Sequence, residues 1–150
     1  MKFIDEIKAR AKQDVKTIVL PESRDKRTLI AAAQVLKEGT AKIVMVGDEE
    51  KIRDGAHWLD VELDGISVVN PETSPKLDEY VNLLYELRKK KGMTLESARE
   101  QLLNNYIMFG VMMVKCKDAD GMVAGCCHAT ADVLRPSLQI LKTAPGTELV

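Results

Sequence analysis

Three short apolar runs punctuate the first half of the chain. They are Thr17–Leu20, stopped by Pro21; Ile43–Val46, ended by Gly47; and Ile66–Val69, closed by Asn70-Pro71. Such runs, with almost no polar alternation, belong to strands buried on both faces. Between the first two, Leu29, Ala32, Ala33 and Leu36 recur at helical spacing, and Gly39 supplies a C-terminal stop. After the second, Asp48 is placed to cap a helix reaching about Trp58. Strands and helices that alternate through short connections point to a parallel sheet with right-handed crossovers and helices on its faces. The expected fold is therefore α/β, a three-layer sandwich around a mainly parallel sheet.

The remainder fills in that frame. Met1–Ile7 opens as an amphipathic helix. From Pro75 to Asn104 the pattern is helical throughout, with one helix to Lys91, a break at Gly92 and a second helix from Thr94. Tyr106–Val114 is apolar nearly all round and reads as a buried helix. Ala119–Ala124 returns to strand, and Leu138, Ile140 and Leu141 belong to a final helix. At 150 residues the chain is long enough to bury a core without a metal or disulfide.

Charge and composition exclude several classes of function. The formal net charge of -1 argues against a whole-domain grip on nucleic acid or an anionic membrane. Aromatic residues at 4% are too sparse for a base-stacking platform. The N-terminus lacks the apolar core and cleavage site of a secretory signal, and the Tyr106–Val114 run is far short of the ~20 residues that cross a bilayer. Three cysteines, Cys116, Cys126 and Cys127, form an odd set suited to a reduced compartment, so a cytoplasmic location is expected. No P-loop occurs, and Pro21–Asp25 stands where a dinucleotide fingerprint would follow the first strand. Cys126-Cys127-His128 resembles a ligand cluster, but neighbours in sequence rarely point at one ion and a fourth ligand has no obvious source. The expectation is packed thiols and no metal.

Two regions carry candidate chemistry. On the helix before Lys91, Leu77, Tyr80, Val81 and Leu84 form one apolar stripe, and Arg88 falls about 20° from Leu77 within it. A guanidinium on that face either binds an anion at the edge of a cleft or sits as a helix C-terminal cation snorkelling past its neighbours. The second region is Asp120–Pro136, in which a strand ends at Gly125 and a small, polar loop leads to Arg135-Pro136. If Pro136 lies in a first helical turn, Arg135 stands at a helix N-terminus, suited to phosphate, with Thr130 adding a hydroxyl and His128 a donor. Alternatively Thr130 and Asp132 cap a helix kinked at Pro136, with Arg135 paired to Asp132. A phosphate or a phosphorylated ligand is the inference from this second region.

At these residues the sequence resembles the N-terminal half of the phosphate acetyltransferases, within the phosphate acetyl/butyryltransferase family. The matching blocks are Val19–Glu22, Tyr85–Arg88 with Lys91-Gly92, and Asp120–Gly125, continuing through His128–Asp132 and Leu134–Pro136 to Gln139–Thr143. The last block is the specific one. The resemblance implies reversible acetyl transfer between acetyl phosphate and coenzyme A, by direct attack of the CoA thiolate on the acetyl carbonyl. It implies Arg88 and Arg135 as catalytic arginines that hold the phosphoryl group and stabilise developing charge, with Thr130 near the CoA site. Coenzyme A enters as a substrate, no cofactor is tightly bound, and a homodimer acting on small molecules is expected. A phosphate butyryltransferase and a non-catalytic phosphate- or CoA-binding module are the alternative readings, and a purely structural domain a third.

The chain departs from the family in two respects. Cys126 and Cys127 stand where alanines are frequent, and Ala129 where a serine is frequent. Family members are also more than twice as long, with two α/β domains across a cleft and the base that activates the thiol in the C-terminal part. The chain runs to Pro145–Val150 without a polar tail, so the 150 residues are expected to be most of the first domain. Alone, they are expected to lack the general base.

Overall fold

In the computed structural model, which describes residues 2–148, the apolar runs become strands of one parallel sheet. Strand β1 (Lys16–Leu20) pairs with β2 (Ala41–Val46), and β2 with β3 (Ser67–Val69). On the other side of β1 lies β4 (Gly121–Met122), giving the spatial order β3-β2-β1-β4. Met1, where the expected opening helix begins, and Leu149-Val150 of the chain end lie outside the described residues.

Alternate residues of a strand face opposite sides of the sheet. Val19, Val44 and Val46 therefore project into one core, and Leu20, Ile43 and Met45 into another. Helices α2 (Lys26–Glu38) and α3 (Glu49–Trp58) cover the second core with Leu29, Ala32, Ile52 and Ala56. Helices α4 (Leu77–Arg88), α5 (Leu95–Asn104), α6 (Tyr106–Lys115) and α7 (Thr130–Ile140) cover the first with Leu84, Leu102, Phe109 and Ile140. The three-layer sandwich follows from these two cores. The N-terminal helix α1 (Lys2–Gln13) buries no residue and is tied to α2 by a Lys8–Glu38 ion pair at 2.9 Å.

Local signals set most of the boundaries. Asp25 caps α2 by accepting from the Arg27 amide at 2.8 Å, and Asp48 caps α3 by accepting from Lys51 at 3.0 Å. A reciprocal Thr94–Ser97 capping box starts α5, and Asn105 caps α6 through the Met108 amide. Helix α6 is buried from Ile107 to Met113, as its unbroken apolar character requires. It crosses the sheet closely because Gly110 has no side chain. A Cβ there would lie 2.8 Å from Met122 Sδ and 2.9 Å from Val19 Cγ1.

Two expectations need correction. The strand expected over Ala119–Ala124 contracts to Gly121–Met122, because it is an edge strand that pairs only with Ile18 and Val19 of β1. The last helix begins at Thr130, so Pro136 lies inside it and Arg135 is not at its N-terminus. Proline is unfavourable in a helix interior because it lacks an N–H. Here its ring is buried in the fold, and Asp132, whose carbonyl loses its helical partner, is exposed.

Candidate active site

Strand β1 is the point where the sheet changes direction, since β2 and β3 lie to one side and β4 to the other. In open parallel sheets, ligands bind outside the carboxyl ends of the strands at such a point. A cleft of about 980 Å³ opens there. Its walls come from the loop after β1, the loop after β4, the end of α4, the start of α6 and the middle of α7.

The two loops are joined by Glu22. Its buried carboxylate accepts from the backbone amides of Gly125, Cys126 and Cys127 at 2.9, 3.0 and 3.1 Å. It also accepts from His128 Nδ1 at 2.8 Å. Burial alone would raise the Glu22 carboxyl, but the His128 contact and the amides outweigh it and hold it well below the usual carboxylate range. The post-β4 loop wraps around this anion through Gly125, whose φ of 111° few other residues adopt. Next to it, the buried Ser23 hydroxyl donates to the Val46 carbonyl at 2.7 Å and ties the same turn to β2.

Arg88 and Arg135, read separately from the sequence, line the same cleft with His128. Arg88 leaves the C-terminus of α4 with its apolar neighbours Leu77, Tyr80, Val81 and Leu84 buried. Among the described residues it has no carboxylate partner, and neither does Arg135, so the Asp132–Arg135 pair does not form. Lys91 and Arg24 complete the cationic wall, and Arg24 lies 5.7 Å from the centre of the Tyr106 ring. Cations left unpaired in a concavity favour an anion, and planar guanidinium groups favour phosphate or carboxylate. Thr130 is not part of the cleft wall. It is exposed in the first turn of α7, a helix with no side-chain N-cap.

The Glu22 contact defines what His128 can do. With Nδ1–H directed at Glu22, only Nε2 is left for a ligand, as an acceptor in neutral imidazole and as a donor in imidazolium. The neighbouring thiols are poor nucleophiles. Partial burial and the Glu22 carboxylate push Cys127 up to about 11, and burial also raises Cys126. Sequence reasoning missed the roles of Glu22 and Arg24. Their available signal was position, since both lie in the turn immediately after the first buried strand.

The family model described as phosphate acetyl/butaryl transferase matches residues 2–150. The phosphate acetyltransferase of Acetivibrio thermocellus is 54% identical over the whole chain, which covers 44% of that protein. That of Clostridium acetobutylicum is 47% identical, again over the whole chain and 45% of the relative. Among solved structures, a phosphotransacetylase from Streptococcus pyogenes superposes with a TM-score of 0.92 at 35% identity, over 99% of this chain and 44% of that one. The EutD phosphotransacetylase from Staphylococcus aureus gives 0.88 at 38% identity over the same shares. The chain thus spans less than half the length of these relatives. Its sequence and its fold place it in one group: the chain belongs to the phosphate acetyl/butaryl transferase family.

Proposed function

We propose that the protein catalyses reversible transfer of an acetyl group between acetyl phosphate and coenzyme A, and that these residues supply its phosphate-binding wall. The observation that carries this reading is the convergence of Arg88, Arg135 and Arg24, without carboxylate partners among the described residues, on the cleft at the carboxyl ends of β1 and β4. In the forward direction the CoA thiolate attacks the acetyl carbonyl carbon. The bond from that carbon to the bridging phosphate oxygen breaks, and inorganic phosphate leaves with the electron pair. Arg88 and Arg135 hold the phosphoryl oxygens and balance the charge that grows on them, a contribution made most strongly in the transition state. Holding both substrates against one wall adds the proximity contribution.

The base that removes the thiol proton is assigned to the part of the relatives' length that these residues do not span. Thr130, at the outer end of α7, is assigned to the CoA side rather than to phosphate. Coenzyme A is a substrate and not a resident cofactor. Cytoplasmic action as a homodimer is part of the same proposal. Among the described residues, no helix is long and apolar enough to cross a membrane.

Phosphate binding measured by calorimetry, together with acetyl-CoA formation by the full-length enzyme, tests the assignment. Arg88→Ala and Arg135→Ala are each expected to weaken phosphate binding about 10- to 100-fold, the loss of a charge-assisted contact, and to impair transfer while leaving the fold intact. Unchanged phosphate affinity and kinetics in both variants would refute the roles given to the arginines. Faster turnover of butyryl phosphate than of acetyl phosphate would replace the acyl group named here.

A further inference from the structure

The post-β4 loop carries a second set of converging groups that acyl transfer does not use. Glu22, Cys126 and Cys127 each offer one ligand atom, and these atoms all lie within 4.8 Å of one another. His128 Nδ1 is 2.8 Å from Glu22 Oε1 and 3.6 Å from Cys127 Sγ. We propose that Glu22, Cys126 and Cys127 form a binding site for a thiophilic divalent cation of the zinc and cadmium class, with His128 available as the fourth ligand.

Adjacent cysteines ordinarily diverge. Here the loop curls around the Glu22 carboxylate through three amide contacts, which bring both thiols near it, the Cys126 thiol also lying 3.2 Å from the Thr28 hydroxyl. Tetrahedral coordination with bonds of about 2.0–2.3 Å needs donor atoms about 3.3–3.8 Å apart, so Glu22, Cys126 and Cys127 close by up to about 1.5 Å, and His128 moves further to join them. The ion takes the place of hydrogens now directed at the carboxylate, since Cys127 Sγ and His128 Nδ1 both contact Glu22 Oε1. Two thiol protons leave to solvent, two sulfur–metal bonds form, and the His128 ring proton moves to Nε2.

Charge is also accommodated. Two thiolates and one carboxylate carry three negative charges against a divalent ion, and the excess faces a cationic setting. The arginine-lined cleft adjoins the loop and supplies that setting, while Arg27, which donates to the Cys126 carbonyl at 2.6 Å, is itself paired with Asp25. Thiolate donors select soft cations over magnesium or calcium. The structure thus supplies the further ligand that sequence spacing did not reveal, and this inference is independent of the reaction proposed above.

Titration of the reduced, metal-free protein with cadmium and zinc tests it, read by the thiolate-to-cadmium charge-transfer band and by calorimetry. The expected result is one ion per chain. Cys126→Ser and Cys127→Ser should each weaken binding about tenfold or more, as removal of a ligand does at least as strongly as loss of its supporting contacts. Cys116→Ser, at the far end of α6, should bind as the wild type does. Circular dichroism verifies that the variants are folded, and alanine at both positions replaces serine where serine perturbs the loop. Absence of uptake by the wild type, undiminished uptake in the Cys126 and Cys127 variants, or loss of uptake in Cys116→Ser would each overturn the proposal.

Discussion

Replacing Glu22 by glutamine changes the charge at the junction of the two site loops while keeping the size of the side chain. The carboxylate holds three backbone amides and one imidazole nitrogen, four charge-assisted contacts on a group only 5% exposed. Such contacts contribute ~1.5–3 kcal/mol each. Glutamine keeps one acceptor oxygen, so about half of the contacts survive, and its NH₂ is set against N–H donors that it cannot satisfy. Some relaxation of the loop and water entry offset part of the loss. The expected destabilisation at pH 7 is therefore ~2–4 kcal/mol, or roughly 5–15 °C in Tm for a chain of this size.

The pH dependence makes the test sharper. Folding depresses the Glu22 pKa, so its contribution is fully present above the unfolded glutamate value of about 4.3 and is lost as pH falls through the folded value. Urea denaturation of wild type and Glu22→Gln from pH 7 down to the acid limit of folding should show a gap that is constant at neutral pH. Below about pH 4 the gap should narrow, because the wild type loses what the variant never had. Hydrogen exchange at the amides of residues 125–127 should accelerate in the variant. A gap under ~0.5 kcal/mol at pH 7, the range of an ordinary surface substitution, would refute the reasoning. A gap that widened with acidification would do the same.

Two other variants probe the surrounding frame. Gly110→Ala places a Cβ within 2.8 Å of Met122 Sδ and 2.9 Å of Val19 Cγ1, where α6 crosses β1 and β4, and should destabilise the protein by ~1–3 kcal/mol in denaturant titrations. Stability equal to wild type would mean that α6 can move away from the sheet without loss. Arg24→Ala removes the third guanidinium of the cleft and should weaken phosphate binding roughly three- to tenfold, less than loss of Arg88 or Arg135, as measured by calorimetry. An effect as large as theirs would make Arg24 a principal phosphate ligand.

Much of this protein was legible in its sequence because the relevant forces are local. Ile43–Val46 is apolar on both faces and so had to be a central strand, and Asp48 and Gly39 mark helix ends by capping chemistry that acts within a few residues. Arg88 was recognisable because helical periodicity alone puts it in line with a buried stripe. Periodicity did not separate an anion ligand from a snorkelling cation, since that depends on which carboxylates the fold brings near. The start of α7 stood open between two readings for a similar reason, and the one with Pro136 inside the helix is what the fold adopts. A proline's preference for the first helical turn is a local rule, whereas its place inside α7 depends on the packing of its buried ring.

The strand–helix alternation by itself determined the α/β class, the two-sided burial of the sheet and the principal helices. Only the tertiary structure decided the site. Glu22 meets Cys127 and His128 across more than a hundred residues because β4 lies beside β1, and no local pattern encodes that adjacency. Packing of α4 and α7 beside the loop after β1 brings Arg24, Arg88 and Arg135, from one loop and two helices, to one cleft. Secondary structure follows from the spacing of side chains along the backbone, whereas a charged site depends on contacts between distant segments, which form only when the sheet closes.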